Sequence, residues 1–196
     1  MPERKVIKAA AKAQIKGSVG TFFLCYLVAG LITGVTFGLG GLFLPALIVG
    51  INMMFLGLIV GVKPQFGDMF KAANLFGRAL WLQIIMGIFI YLWSLLLIVP
   101  GIIKAFAYSM SFYILADNPN LTAREALNES KRITNGHKMK LFVLELSFIP
   151  WFMLCGITFG IASIYVMPYV NATFANFYNA IKAQPQQAEY APPQQA

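Results

Sequence analysis

Glu145 is the residue of this sequence best placed to do chemistry, because it is a carboxylate set inside an apolar run, Leu141 to Phe159. A lone charge at mid-bilayer costs roughly 2.5–3.5 kcal/mol on insertion scales, and less near the interface. A carboxylate kept there suits a proton or cation site, or a partner for a substrate amine. The plainer reading places it near headgroups or beside a basic neighbour. Lys104 is the second charge in an apolar run, close enough to its outer end for the stem to carry the ammonium outward. Asp117 follows that run. Asn171 and Asn176 stand inside the last one, where they would line a cavity with Glu145 if the protein moved a solute. Glu145 and Lys104 are expected near opposite membrane faces, so no direct pair between them is expected.

Catalytic patterns are missing from the sequence. It has no G-x-S-x-G, no H-E-x-x-H and no P-loop. His137 is the sole histidine and lies outside every apolar run, so a Ser or Cys nucleophile would lack an activating base. Cys25 and Cys155 sit in apolar runs, where thiols behave as small hydrophobes, and no C-x-x-C occurs. The expectation is no enzyme, no cofactor and no metal.

The elements that must carry these residues follow from composition. Of 196 residues, 59% are hydrophobic and 11% charged, against about 25% charged in a soluble domain. The mean hydropathy is +0.71. This disfavours disorder, a disulfide scaffold and a soluble domain. A spanning helix needs about 20 apolar residues. Ser18–Leu39, Leu42–Val62 and Ala79–Val99 meet that requirement without a charge. Ile102–Ala116, Leu141–Phe159 and Ile161–Ile181 meet it less cleanly, since they hold Lys104, then Glu145 and Pro150, then Pro168 and three asparagines. The expected fold is all-α: a polytopic bundle of six transmembrane helices over 18–181, arranged as three hairpins. The turns fall at Gly40-Gly41, Pro100-Gly101 and Gly160. Gly30, Gly34 and Gly38, Gly57 and Gly61, and Gly156 and Gly160 repeat at the small-xxx-small spacing. They are expected to pack helices within the bundle in preference to dimerising it.

The net charge of +8 first suggests a nucleic-acid partner. Its placement argues otherwise. With both termini cytoplasmic, every Lys and Arg except Lys104 falls on the cytoplasmic side of six spans, which is the positive-inside pattern. The expected location is therefore the cell membrane, with no nucleic acid bound. Residues 1–17 resemble a signal n-region, but the following apolar run exceeds the usual h-region of about 7–15 residues and ends in no A-x-A site, so the segment is expected to be retained.

Within 1–17, Lys5, Lys8, Lys12 and Lys16 form one helical stripe, with Val6, Ile7, Ala10 and Ala13 opposite. A helix lying in the interface, its lysines toward anionic lipid headgroups, fits this pattern. A second amphipathic helix is expected at 122–134. Thr122 and Glu125 have capping-box spacing, Asn135-Gly136 is a stop, and Ala123, Ala126, Leu127, Ser130 and Ile133 share a face. It should lie against the cytoplasmic side of the bundle, either as a connector or as a partner surface built on Arg124, Lys131 and Arg132. The connection before Arg78 resembles it faintly and suggests a degenerate repeat. Residues 182–196, rich in Gln, Pro and Ala, are expected to be a disordered tail.

The stretch from Tyr113 to Trp151, YILADNPNLTAREALNESKRITNGHKMKLFVLELSFIPW, preceded by PGIIKAFAYSMSF and followed by MPY and FANFY, resembles a bacterial integral membrane family catalogued as domain of unknown function 975. That resemblance implies a multi-helix membrane fold and supplies no catalytic residues. A more distant likeness to membrane domains that accompany glycerophosphodiester phosphodiesterases carries no activity, because no phosphodiesterase motif is present. The expected role is a non-enzymatic scaffold or interaction protein engaging a protein or lipid partner, or a second copy of itself. The alternative is a small transporter or permeation element that uses Glu145.

Overall fold

Apolar runs of this length form helices wherever water is excluded, because only a helix pairs its own backbone groups locally. A computed structural model describes residues 3–35, 42–96 and 98–189. The helices are α1 (Arg4–Ile15), α2 (Val19–Val35), α3 (Leu44–Ile59), a 3₁₀ segment (Phe66–Leu75), α4 (Phe76–Leu96), α5 (Ile98–Tyr108), α6 (Ser111–Asp117), α7 (Ala123–Ile133), α8 (Lys138–Leu146), α9 (Ile149–Ile157) and α10 (Ser163–Glu189). No strand occurs among the described residues.

Among the described residues two helices, Phe66–Trp93 and Lys138–Ile157, are long and apolar enough to cross a membrane. A third crossing is counted if α1 and α2, which meet at 87°, form one bent span. Only 17% of each long apolar window is buried inside the protein. Trp81, Ile88, Leu92, Phe152, Met153 and Ile157 are exposed, forming far more apolar surface than a water-facing monomer presents. Hydrocarbon is the solvent that this surface fits.

Two of the expected spans are broken. The run 102–116 is interrupted at Ser109-Met110, where α5 gives way to α6. The Ser109 hydroxyl and N–H both turn back to the Phe106 carbonyl, and the Ala107 carbonyl is freed. The run 141–159 is interrupted at Ser147-Phe148. Pro150 has no N–H to offer one turn back, and the Trp151 N–H donates to Phe148 (2.9 Å), so the Ser147 carbonyl is freed. A freed carbonyl at membrane depth needs a donor from another element. Both find one in an amphipathic segment. Ser130 and Thr134, at the end of α7, donate to the Ala107 carbonyl at 2.8 and 3.3 Å. Lys8 of α1 donates to the Ser147 carbonyl at 3.2 Å.

The helix α7 packs on α4, α5 and α6 and reaches Ala107, as expected of a helix lying against the bundle. One expectation for α1 is corrected. The buried face of α1 is Ile7, Ala11 and Ile15, packed mainly on α10, while Val6 and Ala13 are exposed. Lys8 is half-buried on that inner side, so its ammonium serves the helix break in place of headgroups.

At the five repeat positions whose surroundings are described, the glycines do not mark close packing. A Cβ at Gly30, Gly61, Gly156 or Gly160 would meet nothing within 4 Å, and at Gly57 it would meet only Val62. Gly38 lies outside the described residues, as does the expected Gly40-Gly41 turn. The glycine that permits a close approach is Gly50 of α3, against the backbone of Met69. The expected turn at Gly160 is present. The Gly160 N–H donates to Cys155 (2.8 Å) and the Phe159 N–H to Gly156 (3.2 Å), the paired bonds of a Schellman cap. The left-handed position of that cap is held by Phe159 (φ 48°), where glycine is usual. Pro100 stands in the first turn of α5, and α10 continues to Glu189, eight residues into the stretch expected to be a tail.

Candidate functional site

The first candidate is the cavity at Glu145, of about 380 Å³. Glu145 sits in the last turn of α8, just before the Ser147 break. Ser109 and Tyr113 approach from either side of the Met110 break, and Asn171 from α10. Phe106 and Phe174 supply aromatic walls. The cavity thus lies between two interrupted helices, the only setting in which irregular backbone is tolerated at membrane depth. Glu145 makes no ion pair among the described residues. Asn171 shares this cavity with it, as expected for a solute path, but its amide donates to Met167 (3.0 Å). Asn176 does not line the cavity. It forms a reciprocal amide pair with Gln14 of α1, at 2.5 and 3.3 Å.

Lys104 and Glu145 make no ion pair with each other, as expected. Glu145 lines its cavity with Ile102, Ala105 and Phe106, the residues around Lys104 on α5. Lys104 lines a different groove on the same helix. Because α5 ends at Tyr108, Lys104 is one turn from the end that α7 contacts. Its ammonium lies 4.7 Å from the centre of the Trp93 ring.

The second candidate is the groove that Lys104 enters, about 830 Å³, between α4, α5 and α7. Arg124 and Lys131, two turns apart on α7, line it together with Lys104. The helix is built firmly. The Thr122 N–H donates to Glu125 Oε2 (2.7 Å) and the Glu125 N–H to Thr122 Oγ1 (3.3 Å), which is the capping box read from sequence. The Thr122 N–H and the Thr122 hydroxyl (2.8 Å), both donating to Oε2, hold the Glu125 carboxyl below its ordinary value. All five residues expected on the inner face of α7 are buried. Arg132 does not join the other cations. It points to Glu129, with bonds of 2.6 and 2.8 Å, which lower the Glu129 carboxyl and raise the Arg132 guanidinium.

Asp117 is a tie between α6 and α10. Its Oδ2 accepts from the Tyr178 hydroxyl (2.8 Å) and pairs with the Lys182 ammonium. Tyr113 stacks on Tyr178 at 6.0 Å and donates to the Asn171 carbonyl at 3.3 Å. Arg78 donates to the Pro119 carbonyl, fixing the start of α4 beside the turn before α7.

Ser109, Tyr113 and Trp93 are not singled out in the sequence, and Lys8 reads there only as one of four lysines facing headgroups. Lys8 also lies 4.0 Å from the centre of the Phe148 ring, and burial, with Arg4 adding to it, pushes its ammonium below the ordinary lysine value. Pro150 was the available signal, since an internal proline announces a carbonyl in need of a donor.

Residues 95–185 match the model of the family described as Protein of unknown function (DUF975), which bears out the resemblance read from the 113–151 stretch. No curated protein and no solved structure matches the chain.

Proposed function

We propose that this is a multi-pass protein of the cell membrane, with six spans in three hairpins and both termini cytoplasmic, and that it acts as a non-enzymatic interaction protein through the cationic face of α7. The observation that carries the reading is the setting of Arg124 and Lys131. Both are held on a capped, buried-faced helix, and neither makes an ion pair among the described residues, whereas Arg132 beside them is neutralised by Glu129. A mere connector has no need to keep two cations on one rigid face free of carboxylates. In-cell crosslinking from position 128 of α7, followed by mass spectrometry, tests it. The expected result is a reproducible lipid or protein adduct that Arg124→Glu/Lys131→Glu abolishes. The same adducts from wild type and double variant would overturn it. The span count is tested with single cysteines at Gly136 and Phe159 in a background lacking Cys25 and Cys155. They should label from opposite sides of intact cells, and same-side labelling would refute the hairpin arrangement.

The second reading, a permeation element, is favoured by the Glu145 cavity lying between two broken helices, the arrangement used at transporter binding sites. It predicts that Glu145→Gln abolishes a pH-dependent flux in proteoliposomes. Under the first reading the same substitution is silent.

A further inference from the structure

We propose that the groove between α4, α5 and α7 binds one anionic phospholipid from the bilayer, its phosphate held by Arg124 and Lys131 and an acyl chain laid along α4. This rests on the reading of α7 as the partner surface, and it names the partner. Charge is the first argument. Arg124, Lys131 and Lys104 line the groove, and no Asp or Glu does. A guanidinium and an ammonium two turns apart suit the oxygens of a phosphodiester, which Arg grips in bidentate fashion and Lys attracts as a point charge.

Shape is the second argument. Trp81, Ile85, Phe89 and Trp93 form one face of α4 along the groove. From Trp81 to Trp93 is twelve residues, about 18 Å at 1.5 Å per residue, enough to follow a chain through the roughly 15 Å of one leaflet. Solvent is the third. These residues belong to a helix apolar enough to cross the membrane, and Trp81 (58%) and Phe89 (42%) are not covered by protein, so the groove opens sideways into lipid. A soluble phosphate compound would leave that floor unused. A zwitterionic headgroup would bring a fourth cation into a site that already holds three.

Tryptophans in the groove provide the measurement. In Trp151→Phe protein the remaining reporters are Trp81 and Trp93. The protein is placed in phosphatidylcholine nanodiscs, and fluorescence quenching is compared for bromine-labelled phosphatidylglycerol and bromine-labelled phosphatidylcholine at equal mole fraction. The anionic lipid should quench preferentially. One basic residue near an anionic lipid favours it about fivefold, so Arg124→Gln/Lys131→Gln should lower the preference about 25-fold. Arg124→Lys/Lys131→Arg should retain it, which separates charge from folding, and Arg132→Gln should leave it unchanged. A preference that survives Arg124→Gln/Lys131→Gln would overturn this site while leaving lipid engagement elsewhere intact. Equal quenching by both lipids, with protein adducts from α7, would overturn the lipid and leave the partner surface standing. Equal quenching with no adduct would overturn both.

Discussion

Gly50→Ala is the substitution whose cost the structure fixes most directly. A Cβ at Gly50 would stand 2.0 Å from the Met69 carbonyl oxygen and 2.7 Å from its carbon, where ordinary contact begins at 3.4 Å. The two backbones must therefore separate by more than an ångström. The obstacle is main chain, which has no rotamer to escape into, and the shift would lift Met69, Ala72 and Leu75 from their buried positions. Overpacking costs about 1–3 kcal/mol, and a backbone obstacle belongs at the upper end. For a chain of this length each kcal/mol lowers Tm by about 2–4 °C, so a fall on the order of 6–12 °C is expected. The assay is thermal exposure of the buried Cys25 thiol to a fluorogenic maleimide in Cys155→Ser protein. Cys25 lies on α2, whose Phe22 stacks on Phe55 of α3 at 4.1 Å, so it reports the release of those helices. Gly30→Ala is the control, because nothing within 4 Å obstructs a Cβ there, and it should leave Tm unchanged or raise it slightly. Equal midpoints for the two variants would refute the close approach.

Lys8→Met keeps the apolar stem but removes the donor to the Ser147 carbonyl. It should cost about 1 kcal/mol, the lower end for an orphaned backbone group since Lys8 is only half-buried. A double-mutant cycle with Pro150→Ala, which restores an N–H, should show coupling, and additive effects would refute the link. Asp117→Asn should cost at most about 1 kcal/mol, because the ion pair with Lys182 is partly exposed, and the loss should shrink as salt is raised. In the capping box the folded Glu125 carboxyl titrates below its unfolded value. Its contribution is therefore complete above the ordinary carboxylate range and lost as pH falls through the lowered value. Hydrogen exchange at the first turn of α7, corrected for intrinsic rates, should accelerate with acidification in wild type and be pH-independent in Glu125→Gln.

What could be read from the sequence was local. The Thr122–Glu125 box, the stop at Gly136 (φ 78°) and the buried stripe of α7 depend on residues within two turns of each other, and all three are present. A weak echo between the two connections also has a counterpart, since Asp68 accepts from the Gln65 N–H (2.8 Å) as Glu125 does from Thr122. What could not be read was set by distant partners. Gly50 carries no mark of Met69. Lys8 is indistinguishable from Lys5 or Lys12 until the carbonyl freed by Pro150 is brought to it. Asn171 and Asn176 look equivalent in sequence, yet one lines the cavity that Glu145 lines and the other pairs with Gln14.

The pairing of α1 with residues far along the chain sets a timetable for biogenesis. Lys8 meets Ser147 across 139 positions, and Gln14 meets Asn176 across 162. The helix α1 leaves the ribosome long before α10 and therefore has no finished seat until α10 is in place. During synthesis Ile7, Ala11 and Ile15 must shelter elsewhere, and the membrane surface is the nearest apolar phase. A chain arrested before α10 would display that face permanently, a mark by which quality-control proteases could tell an unfinished molecule from a complete one.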